Sequence, residues 1–192
     1  MEEMKFREHF DVMISPEEVA RRTAELGTQI SNDYGEEPVV AVGILRGCVM
    51  FYSQLLKSMA CPTLLDFMYV SSYGDSMKSS GSVKIERDLQ TEIEGKHVLL
   101  IDDIVDTGLT LSNLKRMLQT RGPKSIKICT MLDKKEARSN PIEVDYSAFS
   151  IENYFVVGYG LDYRQYFRNM NFIGRLKNGH QAILDKWIDQ LD

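Results

Sequence analysis

The sequence predicts an α/β fold, a mostly parallel twisted sheet flanked by helices, and three observations predict it. Short apolar runs rich in β-branched residues alternate with stretches of helical apolar spacing, the order of parallel strands joined by helical crossovers. The 192 residues suffice for one sizeable core, and no repeat, linker or low-complexity block divides them. Several apolar runs end in polar residues: Leu45-Arg46-Gly47, Asp102-Asp103, Asp133-Lys134 and Asp162. In open parallel sheets ligands sit beyond the carboxyl ends of the strands, so these residues are expected along one rim.

Taken in chain order, ISPEEVARRTAELGTQIS is a helix: Ser15 is a good N-cap, Pro16 suits the first turn and Glu18 completes a capping box. Val19, Ala20, Ala24, Leu26 and Ile30 supply its apolar face. PVVAVGIL is a buried strand, and RGCVMFYSQLLKSM a helix limited by Pro62. TLLDFMYVSSY is a second strand, followed by GDSMKSSGSVKIERDL, a Ser- and Gly-rich exposed loop returning as a strand. KHVLLIDDIV is the third strong strand, and LTLSNLKRMLQT a helix stopped at Gly122-Pro123. SIKICTMLD and YFVVGYGLD are expected as two more strands. From Tyr163 onward the pattern is mixed, so one domain with terminal elaborations is the expectation.

A net charge of −5 argues against general nucleic-acid binding, which draws its affinity from clustered Lys and Arg. Cys48, Cys61 and Cys129 form no CxxC and are expected as reduced, buried thiols. The charged N-terminus MEEMKFREHF lacks a signal-peptide core, and no apolar run approaches the ~20 residues of a membrane span. These features together imply a cytoplasmic protein without a membrane partner. His9, His97 and His180 show no metal-ligand spacing.

The stretch VLLIDDIVDTGLTL, residues 98–111, places two aspartates at the end of an apolar run and a third three residues on. A single acid there is explained by capping of the next helix, which Asp106 or Thr107 suits. In an extended strand Asp102 and Asp103 point to opposite faces, which limits their repulsion. Asp106 must still converge on the same rim, and three carboxylates favour a cationic or hydroxyl-rich ligand. A strand ending in two acids also occurs as the Mg²⁺-binding strand of P-loop nucleoside triphosphatases. That reading requires GxxxxGK[ST]; here Gly95-Lys96 is followed by His97 and precedes its strand. DTGLT offers instead successive backbone N–H groups, the hydroxyls of Thr107 and Thr110, a helix N-terminus, and Gly108 for close approach of an anion. Together these make a phosphate cradle. Acids for a polyol beside N–H groups for a phosphate describe a sugar phosphate.

The segment resembles the 5-phosphoribosyl-1-pyrophosphate (PRPP) signature of type I phosphoribosyltransferases. GILRGCVMF, SSYGDSMKSSG, MLDKKEARS and FVVGYGLDYRQYFRN, in that order, resemble segments of the hypoxanthine-guanine phosphoribosyltransferases, and the resemblance covers roughly residues 10–175. It implies the type I phosphoribosyltransferase fold as a single domain over 1–192, with a core at about 35–165 and a small hood from about 1–14 and 163–192. It implies purine salvage: transfer of the phosphoribosyl group from PRPP to N9 of hypoxanthine or guanine, giving IMP or GMP and pyrophosphate. Mg²⁺ is the implied cofactor, and a homodimer or homotetramer the implied assembly.

Carried onto this sequence, the resemblance assigns Asp102 and Asp103 to the ribose hydroxyls, directly or through Mg²⁺-bound water. Asp106 lies near purine N7 as general base or proton acceptor. Thr107, Gly108, Leu109 and Thr110 hold the 5′-phosphate. Leu45, Arg46 and Gly47 form the pyrophosphate loop, where the family has a non-proline cis peptide. Lys134 reaches the purine O6, Phe155 stacks on the base and the Val156 backbone meets its edge. Asp162 ligates a Mg²⁺ on pyrophosphate, Arg168 contacts pyrophosphate, and Ser72 and Tyr73 belong to a lid running from Ser71 to about Arg87. Bland readings stand beside these: Lys134 with Lys135 as a solvated charge pair, Phe155 as core, Arg168 as a surface ion-pair partner.

Two positions depart from the family pattern. The first acid of the pair is Asp102, where Glu is common; one methylene less shortens its reach, so its ribose contact is expected to run through water. Leu109 stands where some members carry a basic residue, which leaves the backbone cradle intact. Two other functions compete. The C2 side of the purine pocket is not legible, so a xanthine- or guanine-preferring transferase is one. A PRPP-binding regulator without catalysis is the other; it would not need Lys134, Asp162 and Arg168.

Overall fold

The structure, a computed structural model, describes residues 6–72 and 83–191. Its centre is a six-stranded sheet in the order β4-β3-β2-β5-β6-β7, with β2 Val39–Leu45, β3 Thr63–Ser72, β4 Val83–Arg87, β5 His97–Val105, β6 Ser125–Asp133 and β7 Tyr146–Ser150. All neighbours run parallel except β4, which returns antiparallel along β3. The apolar runs are continuous because both faces are covered. Ala41, Leu99 and Ile101 pack on one face with α1 Pro16–Tyr34 and α2 Val49–Ser58. Val40, Val42, Val98 and Leu100 point to the other, against Leu111, Leu114 and Leu118 of α3 Leu109–Gln119.

The capping box is present: the Glu18 N–H donates to Ser15 Oγ (3.2 Å) and the Ser15 N–H to Glu18 Oε2 (2.9 Å). Gly27 lets α1 close on the end of α2, since a Cβ there would lie 2.7 Å from the Ser58 carbonyl oxygen. Cys48, Cys61 and Cys129 are free and buried. Among the described residues no helix is long and apolar enough to cross a membrane.

A second, three-stranded antiparallel sheet joins the chain ends in the order β1-β9-β8: β1 Phe10–Ile14, β8 Val156–Val157 and β9 Ile173–Leu176. Phe10, Val157 and Phe172 pack beneath it with Leu184 and Ile188 of α4 Gln181–Ile188. The YFVVGYGLD segment therefore corrects the expectation of a long strand. Only Val156 and Val157 are strand, and they belong to the second sheet. Positive φ at Gly158 (94°), Tyr159 (50°) and Gly160 (103°) turns the chain out of the extended conformation. The sixth strand of the main sheet is β7, an edge strand.

Asp66 on β3 ties the segment before β5 to the sheet. It accepts from the N–H groups of Thr91 (2.7 Å), Gln90 (2.9 Å) and Phe67 (2.7 Å). Burial alone would raise its carboxyl, but these backbone donors hold it below the usual carboxylate range. Its stabilising contribution is thus present above the unfolded pKa and is lost as pH falls through the lowered folded value. Asp66→Ala is expected to cost on the order of 2–3 kcal/mol in urea unfolding at pH 7, the scale of hydrogen bonds to a charged acceptor. The difference from wild type should shrink on acidification below 3.8; one that stays constant with pH contradicts the assignment.

Candidate active site

The rim is built by register. β2, β5 and β6 run parallel, with Gly43 opposite Ile101, Asp102 opposite Thr130 and Val105 opposite Asp133, so all three end on the same side of the sheet. Leu45-Arg46-Gly47 leaves β2, Asp106 to Gly108 form the turn from β5 into α3, and Lys134 follows β6. The Leu45-Arg46 peptide is cis. A cavity of about 260 Å³ is lined by the continuous chain from Asp102 to Leu111.

Asp102 and Asp103 differ from the expectation of opposed side chains. Each carboxylate curls back onto the next backbone N–H, Asp103 to Asp102 Oδ1 and Ile104 to Asp103 Oδ1, both at 3.0 Å. The two carboxyls are close enough to act on each other electrostatically. Burial first, and then the charge of Asp103, push Asp102 well above the usual carboxylate range. Burial also raises Asp103, opposed by its hydrogen bonds and the Arg168 charge. Gly47 has no room for a side chain, because a Cβ would fall on the Asp103 carboxylate. A Cβ on Gly160 would likewise fall on the Gly47 carbonyl. The loops after β2 and β8 and the acidic end of β5 are therefore in direct contact.

The helix after the turn is not capped by a side chain: Gly108, at φ 79°, occupies the N-cap position. That leaves the Asp106 carboxylate free of capping, and it faces Lys134, with Nζ and Oδ2 3.6 Å apart. The Lys134 side chain is 7% exposed and that of Asp106 50%. Burial of Lys134 excludes the solvated-pair reading. The Thr107 hydroxyl accepts weakly from the Leu109 N–H (3.4 Å), and Leu109 and Thr110 form the first turn of α3.

Arg168 pairs with Asp162 (2.7 Å) and donates to the Gly160 carbonyl (2.6 Å) and Gln165 Oε1 (3.0 Å). The Gln165 N–H donates to Asp162 Oδ2 (2.8 Å), and Arg46 reaches both Gln165 Oε1 (3.2 Å) and the Tyr69 hydroxyl (2.8 Å). Phe155 is 55% exposed and meets Tyr163 edge-on at 5.7 Å, which is not a core position. Val156 is buried and opposes Arg175 across the β8–β9 ladder. Ser72 ends β3 opposite Val83; Tyr73 lies outside the described residues.

Sequence reasoning missed Gln165, Tyr69 and Arg138. Gln165 and Arg138 lie inside quoted motif segments, but nothing in their spacing marked them. As to metal, no group of three or more acidic, His or Cys side chains is placed to hold an ion among the described residues. Asp102, Asp103 and Asp162 thus do not form a three-ligand cage. The adjoining carboxyls of Asp102 and Asp103 supply two hard oxygen donors. They fit Mg²⁺, which retains waters and typically takes one or two carboxylates plus substrate phosphate oxygens.

Comparison with known proteins identifies the family. The phosphoribosyl transferase domain family matches residues 15–164. The chain is 46% identical over 166 residues to a hypoxanthine-guanine phosphoribosyltransferase of Bacillus subtilis, covering 86% of this chain and 92% of the relative. It is 43% identical over 173 residues to a hypoxanthine phosphoribosyltransferase of Haemophilus influenzae, covering 88% and 97%. A crystal structure of a hypoxanthine phosphoribosyltransferase from Staphylococcus aureus superposes with a TM-score of 0.89 at 42% identity, covering 92% of this chain and 97% of that one.

Proposed function

Because the chain belongs to the phosphoribosyl transferase family, we propose that it transfers the 5-phosphoribosyl group from PRPP to N9 of hypoxanthine or guanine, in purine salvage. The observation that carries this reading is the Lys134–Asp106 pair at the strand-end rim. A 6-oxopurine presents O6 as an acceptor beside the ring nitrogen N7, and a buried ammonium with an adjoining carboxylate is complementary to both. Adenine places an amino group opposite the ammonium and is disfavoured.

The turn from Thr107 to Thr110 holds the 5′-phosphate on backbone N–H groups, and Asp102 and Asp103 face the ribose hydroxyls. Asp106 accepts the N7 proton as N9 attacks C1, general-base help typically worth about 10²–10⁴ in rate. Phe155 stacks on the base and the Val156 backbone meets its edge. Leu45, Arg46, Gly47 and Arg168 surround the departing pyrophosphate. Asp102 and Asp103 would meet Mg²⁺ through its bound water and Asp162 would ligate a Mg²⁺ on pyrophosphate, where the ion would supply charge neutralisation on the leaving group. Closure of a lid that includes Ser72 and Tyr73 excludes water.

The single-domain reading, with its core and hood, belongs to this proposal, as do a cytoplasmic location and a homodimer or homotetramer. Support for the location is the three buried free thiols. The assembly is read from the family resemblance. The test is pyrophosphate release from PRPP with hypoxanthine, guanine and xanthine in turn, with and without Mg²⁺. Release that requires both a base and Mg²⁺ is expected, fastest with hypoxanthine or guanine. No release with any base overturns catalysis in favour of a PRPP-binding regulator, and xanthine turning over fastest overturns the substrate assignment.

A further inference from the structure

Outside the residues that line the cavity, a set of donors that the chemistry above does not use meets the turn. Arg138 directs its guanidinium three ways: Nε to the Asp106 carbonyl (3.3 Å), Nη1 to the Ile142 carbonyl (3.0 Å) and Nη2 to the buried Asp133 carboxylate. The next two residues act on the adjacent carbonyl. The Ser139 N–H (3.2 Å), the Asn140 N–H (3.0 Å) and Asn140 Nδ2 (3.3 Å) all donate to the Thr107 oxygen. Gly108 seals this contact, since a Cβ there would lie 2.7 Å from Ile142 Cγ2 and 2.8 Å from Arg138 Cδ.

A turn carries as many carbonyls as N–H groups, and only the N–H groups attract an anion. A carbonyl oxygen facing the cavity would repel a phosphate and cancel the cradle. Donors behind Asp106 and Thr107 fix both carbonyls pointing away, which leaves the following N–H groups for the cavity side. Lysine cannot do this, because one ammonium lacks the planar fork that serves two carbonyls and a carboxylate at once. We infer that Arg138 and Asn140 are positioning residues that hold the Asp106–Gly108 turn in its phosphate-receiving orientation. Asp133 then serves as the counter-charge that seats Arg138. The inference rests on the reading of this turn as the sugar-phosphate site.

Two variants test it. Arg138→Lys keeps a cation beside Asp133 and removes the fork; Asn140→Ala removes one donor to the Thr107 carbonyl. Both are expected to unfold cooperatively near the wild-type temperature. Arg138→Lys should raise the KM for PRPP about tenfold, one charge-assisted hydrogen bond's worth, and leave the KM for hypoxanthine within about twofold. Asn140→Ala should give a smaller change in the same direction. Amide hydrogen exchange at Gly108 to Thr110, read by NMR without substrate, should quicken in both variants. Unchanged exchange with unchanged PRPP KM overturns the inference, as does an equal rise in both KM values. A merely structural role predicts lowered melting temperatures with an unaltered KM ratio, and that result overturns it too. The exchange measurement needs no turnover. If the wild type makes no IMP, the transferase reading fails, and the exchange rates alone still decide whether the turn is braced.

Discussion

Lys134→Ala is expected to raise the KM for hypoxanthine by about 10- to 100-fold, the range of a hydrogen bond from a charged donor, and to leave the KM for PRPP nearly unchanged. The asymmetry follows from position. Lys134 sits just past β6, buried, with its ammonium against Asp106, whereas the proposed sugar-phosphate cradle is made of backbone groups after β5. Truncation leaves Asp106 half in water, so no uncompensated buried charge remains to unfold the protein. Steady-state kinetics with each substrate varied in turn provide the check. Equal increases in both KM values contradict a purine-side role for Lys134.

Asp106→Asn is expected to lower kcat by about 10²–10⁴ with little change in the KM for PRPP. Asparagine keeps the shape and still accepts a hydrogen bond, but it cannot take the N7 proton. The pair is in contact, so the effects of the two substitutions should not add. The double variant, Lys134→Ala with Asp106→Asn, should lose less activity than the product of the two single losses. Single-turnover rates of IMP formation separate this chemistry from product release. An Asn variant with an unaltered single-turnover rate contradicts proton transfer to Asp106.

How far the fold was legible depended on how each strand is buried. Val39–Leu45 and His97–Val105 lie between two layers of helices, so their sequences are unbroken apolar runs. Tyr146–Ser150 is an edge strand that buries only Tyr146 and Ala148, and an alternation that spans five residues, with a small alanine as one of its buried positions, is too short to stand out. The run from Tyr154 to Asp162 misled for a different reason. Only Val156 and Val157 enter a ladder, Phe155 is exposed, and the turn at Gly158 to Gly160 ends the strand, none of which hydropathy alone reveals. β1 and β9 owe their order to pairing between segments far apart in sequence, which leaves no local pattern, and α4 is a short helix with only Leu184 and Ile188 buried.

The rim was legible because strand ends are local features: an apolar run that stops in acids declares both the strand and its end. The hydrogen bonds of Asp102 and Asp103 to the backbone were not, because they depend on each side chain folding back to the next N–H rather than projecting from an ideal pleat. Arg138 was hidden too, since besides Asp133 its partners are backbone carbonyls at Asp106 and Ile142 that exist as targets only once the turn is folded.

The central claim is that the strand-end rim joins a PRPP site to a pocket selective for 6-oxopurines. Its most direct test is a competition: purified protein, Mg²⁺ and limiting PRPP with equal hypoxanthine and adenine, the nucleotides separated and quantified at early times. IMP as the dominant product is predicted. AMP formed faster than IMP contradicts the account.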